Sequence, residues 1–319
     1  MIKLFLAVFF YLFAVVVTID AAFAHGVVGK RFFPATLATE DPFVADELAL
    51  PTVLHIKRPA EHDLPPHKET EISAELQKRI TPSFSLSVGG EFVHLEPDGL
   101  NSENGFGNLE LGAKYGLFKS EPHEAIVSLG VELEVGGTGN KSVHAESFSE
   151  VSPAIFFGKG LGDLPESAKF LRPVAVTGTV GAKIPTRSKT VTVHVHEDGD
   201  IEREVERHSN SLKWGFAIEY SIPYLLSFVQ DIGLPSVLRR IIPLVELDLE
   251  TFLDRGRGGQ TNGTVNPGFI WAGKSIELGV EAVIPINDRT GQNVGVRGLI
   301  HFFLDDLFPM SIGRPIFGR

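Results

Sequence analysis

The sequence predicts an all-β fold, a single antiparallel transmembrane β-barrel of about 12 strands. Three observations predict it. Apolar and polar side chains alternate with period two over most of the chain after about residue 50, as on a strand whose faces meet different surroundings. Short and long connections take turns, the rhythm of tight turns at one barrel rim and larger loops at the other. The chain opens on an export signal and contains no cysteine, so it must be held by a large core or a closed ring of strands rather than by disulfides.

The opening "MIKLFLAVFFYLFAVVVTIDAAFAHG" combines Lys3, an apolar run from Leu4 to Val17 and a small-x-small site at Ala22-Phe23-Ala24. It reads as a signal peptide over residues 1–24, cleaved before His25. No later apolar run approaches the ~18 residues a spanning helix needs, which excludes a helical membrane fold. Residues 25–50 show no sustained period and contain Pro34 and Pro42, so they are expected to be a periplasmic or lumen-plugging lead-in. The barrel is expected over 51–308, with strands near 51–58, 70–79, 83–95, 105–118, 124–136, 148–158, 169–184, 210–222, 239–252, 263–272, 275–286 and 294–304. Residues 309–319 form a C-terminal tail.

Connections at Thr81-Pro82, "SEPH" from Ser120, "GLGDLPES" from Gly160 and "GK" at Gly273 are short. Those reading "EPDGLNSEN", "GTGNKSVHAE", "DRGRGGQTNG" and "NDRTGQN" are longer and polar. With an even strand number this places both termini in the periplasm. The apolar "LLSFVQDIGLPSV", Leu225 to Val237, falls where a short turn is expected and predicts a short amphipathic helix at the periplasmic interface. In "SKTVTVHVHEDGDIEREVERH" an Asp198-Gly199 turn joins two alternating arms, the signature of a projecting hairpin.

Which face is wet decides the function. In "NLELGAKYGLF", Leu109, Leu111, Ala113, Tyr115 and Leu117 share one face, with Glu110 and Lys114 on the other. The alternative fold is a soluble β-sandwich, in which the apolar face meets a second sheet. Strand length separates the two. Ten or more residues at about 3.3 Å each, tilted by ~40°, approach the ~25 Å apolar band that lipid requires, whereas sandwich strands are nearer five or six residues. Leu109, Leu111 and Tyr115 are therefore expected to face lipid.

On the six clearest strands the expected lumen-lining set is Glu110, Lys114, Glu132, Glu134, Lys213, Glu219, Glu246, Asp248, Glu250, Glu277, Glu281 and Arg297. Such an acidic lining should concentrate cations and repel anions if the lumen is open. It can instead pair off and close the passage, because about twelve strands lie between the filled eight-stranded barrel and the open porin. Glu246, Asp248 and Glu250 share one strand face about 6 to 7 Å apart in succession, and if buried the row demands partners such as Lys213, Arg240 or Arg297. The net charge of −11 leaves no basic footprint for nucleic acid.

Catalytic residues and cofactors are not expected. No serine lies in a nucleophile elbow, and "GKGLGDLPES" lacks the Gly-Lys-Ser/Thr ending of a phosphate loop. Two metal candidates exist. His25, followed by Gly26, resembles the first ligand of the copper histidine brace in lytic polysaccharide monooxygenases, with His55, His62 or His67 as the second histidine. An exported copper-binding protein is therefore one alternative function. His194 and His196 stand at i and i+2 in the hairpin, and Glu197, Asp198 or His208 could complete a shell. A solvated polar hairpin accounts for them without a metal.

"GFGNLELGAKYGLF", with the preceding "ITPSFSLSVGGEFVHL" and the signal peptide, resembles the outer-membrane barrels of the MetA-pathway phenol-degradation (transporter-like) family. The shared strand motif, Gly-x-Gly-Asn/Asp-x-x-Leu-Gly-x-Lys-Tyr, maps to Gly105, Gly107, Asn108, Leu111, Gly112, Lys114 and Tyr115. The resemblance implies uptake of small organic compounds, often aromatic. The expected function is passage or binding of small solutes across the outer membrane, with its lipid, the barrel-assembly machinery and the solute as partners. A structural or adhesive outer-membrane role is the other alternative, suggested by the charged hairpin. Tyrosine and tryptophan are scarce for an interfacial girdle. The strand "GVRGLIHFF" is followed by "LDDLFPMSIGRPIFGR", so assembly would read Phe302 or Phe303 internally, or the tail folds back.

Overall fold

A computed structural model of the chain describes residues 26–60, 64–195 and 201–318. Its strands in chain order are β1 (Val27–Val28), β2 (Arg31–Phe32), β3 (Glu47–Arg58), β4 (His67–Thr81), β5 (Phe84–Pro97), β6 (Glu103–Phe106), β7 (Leu109–Ser120), β8 (Ala125–Val135) and β9 (Glu150–Gly160). They continue with β10 (Val174–Pro185), β11 (Lys189–Val195), β12 (Ile201–Arg207), β13 (Ser211–Tyr220), β14 (Ile241–Phe252), β15 (Thr261–Ala272), β16 (Ile276–Pro285) and β17 (Gly295–Phe303). Twelve of these, β3 to β5, β7 to β10 and β13 to β17, form one antiparallel sheet, and the β17–β3 ladder closes it into a ring. Closure pairs both edges that an open sheet would expose, and it rules out the two-sheet sandwich.

Each of the twelve segments expected from alternation holds one barrel strand, with local differences. The first strand begins at Glu47 rather than 51, because Pro51 interrupts the pattern that would announce it. The β3–β4 ladder shifts register between Ala49 and Thr52, where a proline lacking its N–H is tolerated. The expected strand over 105–118 divides in two. Short β6 pairs with the upper part of β5 and β7 with the lower part. At the break between them Asn108 is buried and binds β8 and the β8–β9 loop: its amide donates to Glu134 Oε1 (2.8 Å) and the Glu146 carbonyl (2.9 Å), and its Oδ1 accepts from Gly139 N (2.9 Å).

Connections 82–83, 121–124, 161–173, 221–240 and 273–275 lie at one rim, and the remaining larger loops lie at the other. Residues 225–237 do not form one helix. Ser221 caps a helical turn by accepting from Tyr224 N (3.2 Å), the turn runs on through Leu225–Val229, and the chain is then irregular past Gly233 and Pro235 to a turn at Leu238–Arg240. The β11–β12 pair is the expected hairpin at the long-loop rim; its tip, with His196, Glu197, Asp198 and Gly199, lies outside the described residues. After β17 the tail folds back onto the β4–β5 turn, where Ile316 N and Phe317 N donate to the carbonyls of Arg79 (3.2 Å) and Ile80 (2.8 Å).

The outward face is apolar and exposed, with Leu111, Tyr115, Val131, Ile155, Val180, Ile218, Val245, Phe269 and Val296 spread round the ring. Among the described residues no helix is long and apolar enough to cross a membrane. The inward face near the short-turn rim is also apolar, and residues 26–46 fill it. Ala35 and Leu37 pack with Leu244, Ile270 and Leu299, Val28 and Phe33 with Ile126 and Ala175, and Phe32 with Ile242, Ala272 and Phe303. Two inward glycines admit this segment: a Cβ at Gly279 would stand 2.8 Å from Leu37 Cδ1, and one at Gly215 2.9 Å from Thr39 Cγ2. A larger residue at Gly279 would displace the segment, and one at Gly215 would also meet the Leu247 carbonyl of the next strand.

Candidate functional site

The lumen is organised by the segment inside it. At the short-turn rim the segment is rooted by Arg31, which is fully buried. Its guanidinium donates to Glu124 Oε2 (3.3 Å), to the Pro173 carbonyl (2.8 Å) and to the Arg172 carbonyl, and it lies over the Tyr224 ring, 4.0 Å from the centroid. Glu124 also accepts from Gly162 N (3.1 Å) and from Tyr224 Oη (3.0 Å). Burial and the adjacent Glu124 carboxylate push the Tyr224 phenol up to about 12. Four chain segments therefore meet at one buried ion pair, whose charges need that many partners to offset desolvation. Tyr224→Phe removes one charge-assisted hydrogen bond and is expected to cost about 1.5–3 kcal/mol, read as a lower melting temperature of the heat-modifiable folded form.

The apex of the segment is held by Glu246. Its Oε1 accepts from Leu37 N (2.8 Å), and its Oε2 accepts from Ala38 N (2.7 Å) and Thr39 N (3.0 Å). Successive backbone N–H groups converging on one anion make a nest, for which a buried carboxylate is a suitable occupant. Glu277 Oε2 accepts from Ala35 N (3.0 Å). On the opposite wall Lys114 donates to the Asp41 carbonyl (3.0 Å) and pairs with Glu40 (3.3 Å). Where the segment turns back into β3, buried Asp46 takes Lys78 Nζ (2.5 Å), Arg79 N (2.8 Å) and Arg79 Nε (2.8 Å).

Above the apex, toward the long-loop rim, lies a cavity of about 220 Å3 floored by Ala38, Thr39 and Glu40. Its walls carry Glu75, Glu110, Glu132, Glu134, Glu150 and Asp248 against Lys114, Lys183 and Lys213. Lys183 pairs with Glu150 at 3.0 Å. Nearer the rim, Arg58 pairs with Glu69 at 2.8 Å.

The residues expected from the sequence divide into groups. Glu110, Lys114, Glu132, Glu134, Lys213 and Asp248 line this cavity. Glu250 accepts from Ser211 Oγ (2.5 Å). Glu246 and Glu277 bind backbone of the inner segment, and Arg297 pairs with buried Glu281 at 2.7 Å. Glu219 is buried beneath the segment, and its carboxylate has no hydrogen-bond partner among the described residues. Arg240 does not serve the acidic row on β14: it lies by the short-turn rim over Trp271, 5.7 Å from the ring centroid. Reading the six clearest strands omits Glu69, Glu71, Glu75, Glu150 and Lys183. For three of these a signal exists, because "HKETEISAELQ" puts Glu69, Glu71, Ser73, Glu75 and Gln77 on one strand face.

The histidine that would open a brace, His25, lies outside the described residues, so only part of that set can be placed. His62 lies outside them as well, His55 Nδ1 is 2.8 Å from Thr70 Oγ1, and His67 Nδ1 is 3.1 Å from the Pro65 carbonyl. The side chains of His194 and His196 are also outside the described set. His208 is buried at the hairpin base, against the Phe148 ring at 4.1 Å.

Fold and site together define a closed twelve-stranded antiparallel barrel with an apolar exterior and an internal segment in its lumen. No protein-family model and no curated protein matches the chain. Among solved structures it is similar to an outer-membrane channel from Pseudomonas putida F1, with 15% identity, 85% of this chain and 99% of that one covered, and a TM-score of 0.49. It is also similar to the KdgM porin (12% identity, 80% and 98% covered, TM-score 0.44) and the NanC porin (10% identity, 79% and 98% covered, TM-score 0.43).

Proposed function

We propose that this chain is an outer-membrane barrel that passes small solutes, cations and neutral compounds ahead of anions, through a lumen narrowed from the periplasmic rim by residues 26–46. The apolar belt on strands of 9 to 15 residues supports membrane insertion, since such strands span the hydrocarbon band. One observation carries the selectivity: above the plug, Glu75, Glu110, Glu132, Glu134, Glu150 and Asp248 face only Lys114, Lys183 and Lys213 among the charged wall residues. A surplus of one sign in a narrow, low-dielectric passage sets the sign of the ion it admits. The wall fits cationic or neutral aromatic compounds better than aromatic carboxylates, which would have to pass the acidic groups.

Planar-bilayer recordings under a salt gradient test this reading. The wild-type reversal potential is expected to report cation preference. Glu110→Gln, Glu132→Gln and Glu134→Gln combined should lower the cation-to-anion permeability ratio roughly threefold or more, because three of the fixed charges that focus the field are gone. A triple variant with unchanged selectivity would mean that ions do not pass this wall. A barrel with neither conductance nor solute binding would favour the adhesive role.

A further inference from the structure

We propose a zinc site at the long-loop rim, formed by Glu146, Glu206 and His208, that ties the base of the β11–β12 hairpin to the β8–β9 loop. One donor atom from each of the three residues lies within 4.8 Å of the other two. Two ligands about 2.1 Å from a common metal can stand no more than about 4.2 Å apart. The three donors are thus a small side-chain adjustment from a coordination shell, and exposed Glu146 is the one with room to adjust.

The histidine is prepared for such a role. His208 is buried, its ring packs on Phe148, and its Nε2 is 2.8 Å from Thr190 Oγ1. The Thr190 hydroxyl at Nε2 holds the ring in place, and in the tautomer with the proton on Nε2 the ligating lone pair is that of Nδ1, as in metal-bound imidazoles oriented through their other nitrogen. The backbones are fixed as well. The Glu146 carbonyl accepts from Asn108 Nδ2 (2.9 Å) and Gly137 N (2.8 Å), and His208 N donates to the Ser188 carbonyl (3.2 Å).

The donor chemistry selects the ion. One imidazole and two carboxylates suit zinc or a neighbouring borderline transition metal, whereas calcium and magnesium take oxygen ligands. Three protein ligands leave one position of a zinc tetrahedron for water or for a group on another molecule. Glu146 comes from the β8–β9 loop and Glu206 and His208 from the far arm of the hairpin, so the metal would act as a staple between two surface excursions rather than within one.

The test is zinc titration of the full-length mature protein, untagged and folded in detergent, by competition with a chromophoric chelator, with heat-modifiable mobility as the check of folding. One equivalent should bind at micromolar or tighter concentration. His208→Ala is expected to weaken binding about 100-fold or more, and Thr190→Val about tenfold through loss of the orienting hydroxyl. Glu146→Gln, at an exposed position, should weaken binding at least tenfold and serves if His208→Ala does not fold. His194→Ala with His196→Ala should leave the affinity unchanged. Absence of zinc binding by the folded wild type would overturn the proposal. So would binding that survives both His208→Ala and Glu146→Gln, or that is lost in the His194/His196 variant.

Discussion

Glu246→Gln is expected to raise the open probability of the barrel by about one to two orders of magnitude in single-channel recordings. The glutamate carboxylate is the shared acceptor for three consecutive backbone donors, Leu37 N, Ala38 N and Thr39 N. Hydrogen bonds to a charged group contribute about 1.5–3 kcal/mol each. Glutamine keeps the shape, offers one carbonyl oxygen, and points an NH2 at donors that need an acceptor. Losing one of these bonds shifts the balance between seated and released apex by about 1.5–3 kcal/mol, and each 1.4 kcal/mol is a factor of ten. Glu246→Asp, which keeps the charge on a shorter arm, should restore part of the closure. Equal conductance in wild type and Glu246→Gln would show that the 35–41 apex does not limit the passage.

Arg31→Ala should act on stability more than on conductance. Arg31 and Glu124 are both buried, with side-chain exposures of 0% and 5%. Removing the guanidinium leaves the Glu124 carboxylate buried with the Tyr224 hydroxyl and Gly162 N–H as its remaining partners among the described residues. Breaking a buried pair from one side costs about 3–5 kcal/mol. The freed carbonyls of Arg172 and Pro173 add to the loss. Arg31→Lys restores the charge without the planar fork that reaches several acceptors, so an intermediate value is expected. The measurement is the urea or temperature midpoint of the heat-modifiable form. A variant that unfolds with the wild-type midpoint would mean that this rim is not held through Arg31. The two substitutions separate apex from root.

The row Glu246, Asp248 and Glu250 shows what a local reading can and cannot reach. Alternation with Val245, Leu247 and Leu249 places all three carboxylates inward, and the ladder of β14 with β13 and β15 agrees. Their roles nevertheless differ. Glu246 is buried against the plug, Asp248 faces the cavity, and Glu250 takes the Ser211 hydroxyl. A single Gln variant at each site should therefore change gating, selectivity and local stability respectively, rather than one property in common.

Period-two alternation is a property of neighbouring residues on an extended chain, and the side of a strand that meets lipid is written in it. That is why Leu111, Tyr115, Val131 and Ile218 could be assigned outward, and Glu110 and Lys114 inward, without a structure. The rhythm of short and long connections likewise carried the strand number and the common rim for both ends. The inward pattern does not distinguish a carboxylate in water from one receiving backbone N–H bonds, because the donors to Glu246 stand 207 to 209 residues away. Backbone donors also have no residue-type signature, so "ATLAT" from Ala35 gives no sign of a nest. The Arg31–Glu124 pair spans 93 residues and joins the lead-in to a turn. Only closure of the ring brings those segments together, and the low-dielectric interior it encloses is what makes their pairing obligatory.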